Sequence, residues 1–180
     1  MNPSTYFLAS GFDWEPGQVV DNSTFRASPH ETFFLANPSK SLLLVPDYMA
    51  RRATEAVFEE IRATLYPEKP SRRLALYLSR TIEDAEFWVS KAARSSYRIY
   101  EVSDLERLSV ADANYVWYNY CVRLHLDPIG QSRRIFSDDV ASEVEHVASA
   151  YWRNEPTESH QVRSRIETLF VGALQVEQAL

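Results

Sequence analysis

Arg165-Ile166-Glu167-Thr168-Leu169-Phe170-Val171-Gly172-Ala173-Leu174-Gln175-Val176 closes the chain with an apolar, β-branched run that carries a carboxylate near its start and a glycine near its middle. Residues of this kind suit a pleated, half-buried strand, and the glycine predicts a break, so the expectation is two final strands paired about Gly172. Glu167 stands in an unusual place for a charge. On a solvent-facing strand position it is nearly free of penalty, whereas turned into a cleft it must be held by hydrogen bonds or a ligand. The plain alternative is an exposed pair with Arg165 on the same strand face, worth about 0–1 kcal/mol and without chemical meaning.

Working back from that end, Asp138 and Asp139 after Ser137 mark a helix start, because acids complement the positive end of the helix dipole. Val140, Val144, Val147 and Tyr151 give its buried side. Tyr115 to Val122 has strand-like composition, but its length and the preceding alanines favour a helix. Tyr97 to Val102 alternates as a strand, with another expected near Leu105 to Val110. Thr81 and Asp84 have capping-box-like spacing before a helix whose apolar face is Ala85, Trp88, Val89 and Ala92. Arg73 to Ser79 reads as a buried strand. Ala50, Ala53, Val57, Ile61 and Leu65 recur at helical spacing, and Pro67 and Pro70 end that helix. Asp21 to Lys40, rich in Asn, Ser and Pro, reads as a surface loop, and Thr5 to Ala9 as the first strand. Strands at both ends with helices between them predict an α+β fold in one domain over residues 1–180.

A chain of 180 residues with 45% hydrophobic content can bury a substantial core. Its formal charge of -6 argues against wrapping nucleic acid by phosphate neutralisation. No cleaved export signal is visible, and Leu42 to Val45 is too short an apolar run to span a bilayer, so a cytoplasmic protein without membrane attachment is expected. The single Cys121 fits a reducing compartment. The four glycines, Gly11, Gly17, Gly130 and Gly172, allow neither a Gly-rich dinucleotide turn nor a Walker-type loop. No serine occupies a nucleophile elbow, and His30, His125, His146 and His160 include no pair at metal-ligand spacing, so no metal is expected.

Phe58-Glu59-Glu60-Ile61-Arg62, Pro70-Ser71-Arg72, Leu76-Tyr77-Leu78-Ser79, Trp88, Tyr100-Glu101-Val102, Asp112, Tyr151-Trp152 and Glu167 to Gly172 together resemble a poorly characterised bacterial family related to the ADP-ribosyltransferase fold. The likeness is closest to the small transferases that modify rifamycin antibiotics, and it spans most of the chain. It implies a split, twisted antiparallel sheet with flanking helices that grips NAD as substrate without a glycine-rich turn. It also implies an acid on a late strand, here Glu167, and a central hydroxyl drawn from Ser71, Tyr77 and Ser79. On the first strand, Tyr6 stands where an aromatic is usual, but Phe7 replaces the histidine such enzymes carry.

The chemistry gives each implied residue a reason. Breaking the bond from ribose to nicotinamide builds positive charge on the sugar, as in glycosidic cleavage. A carboxylate such as Glu167 stabilises that charge and orients the acceptor. Arg72 or Arg73 suits the diphosphate through bidentate hydrogen bonds, and Tyr77 or Tyr97 suits the nicotinamide ring. The plain readings are that Ser71 shapes a turn, the arginines are solvated strand ends and the tyrosines pack. Two functions follow. One is an NAD-dependent ADP-ribosyltransferase acting on an unidentified protein, nucleic-acid or small-molecule acceptor, as a toxin or defence factor. The other is a noncatalytic interaction module on the same fold, favoured by Phe7 and by the aromatic run from Tyr115 to Tyr120 if that run is exposed.

Overall fold

The computed structural model describes residues 4–23, 38–92, 97–126, 138–157 and 165–180. These contain strands β1 (Thr5–Ser10), β2 (Val19–Asp21), β3 (Leu76–Leu78), β4 (Arg98–Asn114) and β5 (Ile166–Ala179), and helices α1 (Pro38–Leu65), α2 (Ile82–Ala92), α3 (Tyr115–Leu126) and α4 (Asp138–Trp152). The class is α+β, as expected. The chain divides into two compact units: Met1–Phe25, Glu68–Ala113 and Arg165–Leu180 form a sheet unit, while Arg26–Pro67 and Asn114–Ser164 form a helical unit.

The sheet unit is organised on β5, which runs through Gly172 as one strand of 14 residues. The expected hairpin about Gly172 is therefore corrected. The glycine, at φ 146°, is required by close approach, since a Cβ there would overlap the carbonyl oxygen of Glu106 on β4. Likewise β4 is one strand of 17 residues where two were expected. The strand order is β1-β4-β5-β2, with β3 also on β5. Register is antiparallel from Thr5↔Ser103 to Ser10↔Arg98 between β1 and β4. Along β5, β3 pairs at Leu76↔Phe170 to Leu78↔Thr168, and β2 at Val19↔Gln175 to Asp21↔Ala173. A single bridge, Phe7 to Ser79, brings β1 beside β3. β3 is shorter than the expected Arg73 to Ser79 because Arg72 to Leu74 form a turn. β2 is not among the expected strands, and only its last residue, Asp21, falls in the expected loop.

Period-two alternation sorts the side chains of this sheet. Tyr6, Leu8, Val20, Leu76, Leu78, Tyr100, Val102, Phe170, Leu174 and Val176 form one buried cluster. Burying such a side chain stabilises by about 1.5–3 kcal/mol, so this face carries the unit's stability. Phe7, Tyr77, Ser79, Glu167 and Leu169 fall on the opposite face by the same alternation. Helix α2 lies against β1, and its start is the expected cap: Thr81 Oγ1 accepts the Asp84 N–H at 3.2 Å and donates to Asp84 Oδ2 at 3.0 Å.

In the helical unit, α1, α3 and α4 pack on one another. The described buried stripe of α1 starts at Ala50 as expected, but continues through Thr54 and Phe58, each one position beyond the expected Ala53 and Val57, and Leu65 is exposed. Phe58 decides this. Its ring meets Tyr118 at 5.5 Å and Tyr151 at 5.0 Å, and its carbonyl accepts the Trp152 indole N–H at 2.9 Å. The helix also reaches back to Pro38, a first-turn position that proline tolerates. The strand-like aromatic run forms α3 because Asn114 caps it, its Oδ1 accepting the Val116 N–H at 3.2 Å. Val147 and Tyr151 are buried on α4 as expected, whereas the expected helix-start residue Ser137 lies outside the described residues.

Candidate functional site

The turn entering β3 prepares the site. Buried Pro70 leads into Ser71, whose carbonyl accepts the N–H groups of Leu74 at 3.1 Å and Ala75 at 3.0 Å, while its Oγ accepts the Arg73 N–H at 3.3 Å. Ser71 thus shapes the turn. The geometry sends successive arginines to opposite fates: Arg73 is exposed, and Arg72 is 6% exposed.

Arg72 Nη1 donates to Glu167 Oε1, an ion pair with side chains only 5% and 4% exposed. Two charges taken out of water this far need close mutual contact and further hydrogen bonds, and removing either partner strands the other. Tyr77 supports the pair. Its hydroxyl donates to the Arg72 carbonyl at 2.9 Å, and the Arg72 guanidinium lies 5.2 Å from its ring centroid. Tyr77 nevertheless remains 43% exposed, so an aromatic surface next to a buried ion pair faces outward.

The expected exposed pair between Glu167 and Arg165 is corrected. Arg165 donates instead to Asp84 Oδ1 at 3.5 Å and lies 4.4 Å from the Phe87 ring centroid. Ser79, 2% exposed, shares the Glu167 face and exchanges backbone hydrogen bonds of 2.9 Å with Phe7 in both directions. Tyr6 is separated from this group. It sits fully buried on the core face, its hydroxyl lacks a hydrogen-bond partner, and Arg80 lies 4.8 Å from its ring centroid. Arg80 in turn donates to Asp112 at 3.2 Å, and Asp112 accepts from Thr168 at 2.7 Å. The alternatives Arg73 and Tyr97 fall elsewhere: Arg73 is on the surface and Tyr97 packs against Gly11.

Glu167, Arg72 and Tyr77 are therefore brought together, with Ser71 and Ser79 beside them in chain and on the sheet. Chemically, the group offers an acid held by a cation next to an aromatic face. Sequence reasoning missed Asn22, whose amide lies where β2 stops; an asparagine in an Asn- and Ser-rich stretch signals only a turn. Cys121, buried in the helical unit, has its thiol pushed up to about 11 by burial, which leaves it unsuited to nucleophilic work. No helix of the described residues is long and apolar enough to cross a membrane.

A family model described as "Protein of unknown function (DUF2441)" matches residues 18–180. No curated protein matches the chain.

Proposed function

The chain belongs to the DUF2441 family, and from its buried acid we propose that it is a cytoplasmic NAD-dependent ADP-ribosyltransferase of ADP-ribosyltransferase-like fold, with Glu167 as the catalytic carboxylate. One observation carries this reading: Glu167 is an acid on a late strand, buried at the tip of an arginine and beside a solvent-facing tyrosine. A charge kept at that depth needs a reason, and structural ion pairs seldom stabilise more than an apolar substitute would.

The bond from ribose C1′ to the nicotinamide nitrogen breaks, and the electron pair leaves with neutral nicotinamide. Glu167 stabilises the cationic sugar and takes the proton of the acceptor nucleophile as its bond to C1′ forms. Arg72 holds Glu167 in the resting chain and passes to the diphosphate when NAD binds. Tyr77 offers its exposed face to the nicotinamide ring, and Ser71 and Ser79 line the approach with Tyr6 behind the sheet. Phe7 supplies no hydrogen bond to ribose, so a backbone or hydroxyl group must serve there.

Of the aromatic run that supports the noncatalytic alternative, Tyr115 and Tyr118 are buried, Trp117 is half-buried and Tyr120 is exposed, its hydroxyl donating to Glu143 Oε1 at 2.8 Å. Phe7 remains in favour of that alternative. The test is nicotinamide release on incubating the protein with NAD and a lysate, with and without Glu167→Gln. Release that depends on Glu167 supports the transferase; no release, or equal release from both proteins, removes it.

A further inference from the structure

β5 leaves a gap on the edge it shares with two short strands. β3 pairs with residues 168 to 170 and β2 with residues 173 to 175, so Val171 and Gly172 have neither as a partner. β4 occupies the other edge, tied at both ends by the Thr168 bond to Asp112 and the Ser103 bond to Glu177. Asn22, the first residue after β2, fills the gap with its side chain. Its Oδ1 accepts the Gly172 N–H at 2.6 Å, and its Nδ2 donates to the Phe170 carbonyl at 3.2 Å and to the Leu74 carbonyl. A carboxamide has two N–H donors and a carbonyl oxygen, and both donors and the oxygen are engaged here.

We propose that Asn22 is the positioning residue of the candidate site. Its amide substitutes for a peptide unit in the β5 ladder and fastens the Ser71–Leu74 turn, which carries Arg72, to the strand that carries Glu167. Leu74 is the last residue of that turn, and Phe170 lies three residues from Glu167, so the clamp spans the two backbones whose side chains meet as the ion pair. The Arg72–Glu167 contact and the β3 pairing fix the same turn to β5, so the clamp and the ion pair act on one geometry. Aspartate cannot replace it, because a carboxylate would face two carbonyls with no donor.

For its enzymatic readout the inference rests on the transferase reading, and the test is a double-mutant cycle that separates the two. Wild type, Asn22→Ala, Arg72→Gln and the double variant are compared by NAD turnover and by thermal melting. Asn22→Ala is expected to lower kcat/KM about tenfold, the equivalent of one well-made hydrogen bond to the turn, and to have less than about a twofold effect once Arg72 is gone. Equal losses in both backgrounds would overturn the positioning role, since a merely structural residue acts independently of Arg72. If wild type consumes no NAD, the transferase reading fails, and melting decides the present inference: sub-additive midpoint shifts support it and additive shifts overturn it. Should Arg72→Gln not fold, Arg72→Lys keeps the charge beside Glu167 and takes its place in the cycle.

Discussion

The two units bury polar groups in different ways. Among the described residues of the helical unit the buried polar side chains are neutral, Thr54, Asn114 and Ser149, and the indole of Trp152 bonds a backbone carbonyl. In the sheet unit, Arg72 and Glu167 are buried as ions, the only charged side chains so classed among the described residues. Neutral hydrogen bonds specify packing at little electrostatic risk, whereas a buried ion pair is sensitive to every change near it. Under the proposed function, the helical unit serves as a scaffold and the sheet face that carries the ion pair does the chemistry.

The sharpest way to break this contrast is to remove one ion. Arg72→Leu should destabilise by about 3–5 kcal/mol in urea titration, because Glu167 is left buried without its partner, while Arg72→Met with Glu167→Leu should restore most of the loss. A small effect of the single change would mean that water reaches Glu167. Gly172→Ala comes next, at about 3 kcal/mol by the same titration, since a Cβ would press on the Glu106 carbonyl in a backbone conformation that favours glycine.

On the helical side, Trp152→Phe keeps an aromatic ring but removes the indole bond to the Phe58 carbonyl, which retains its place in the helix α1 ladder, an expected loss of about 0.5–1.5 kcal/mol with NAD turnover per folded molecule unchanged. A comparable fall in turnover would erase the distinction between scaffold and site. The smallest effect concerns Cys121. Burial raises its thiol from 9.0 to about 11, with Thr54 opposing and Glu143 adding to the shift. Below pH 9 the folded and unfolded chains both keep the proton. Above it the unfolded chain loses its proton first, so this contribution to stability declines as pH rises toward 11. Alkylation of the native protein should accordingly be slow at pH 8 and should not alter turnover.

Much of this contrast could be read in the sequence, for reasons that differ by element. The Thr81 cap and the inward Val147 and Tyr151 of α4 are local signals that appear as expected, while Val144 is half-buried and the side chain of Val140 lies outside the described residues. β4 and β5 were broken in two because tertiary pairing, absent from local pattern, carries each strand past its apparent stop; Gly172 marks a close crossing where a turn was expected. Beyond Ala50 the buried stripe of α1 lies one position from the expected one because Phe58, followed by two glutamates, packs inward on aromatics from α3 and α4. Glu167 was conspicuous as a charge in an apolar run. Its partner was not, because Arg72 and Arg73 are alike in sequence and only the turn at Ser71 chooses between them. Asn22 was illegible, since its three bonds join backbones far apart in the chain.

Calorimetric titration of NAD into wild type and into the Arg72→Met, Glu167→Leu double variant addresses the central claim, that this polar face is a dinucleotide site built on an ion pair. Saturable heat from wild type that disappears in the folded double variant is the predicted result. No saturable heat from wild type, or the same heat from both proteins, would contradict it.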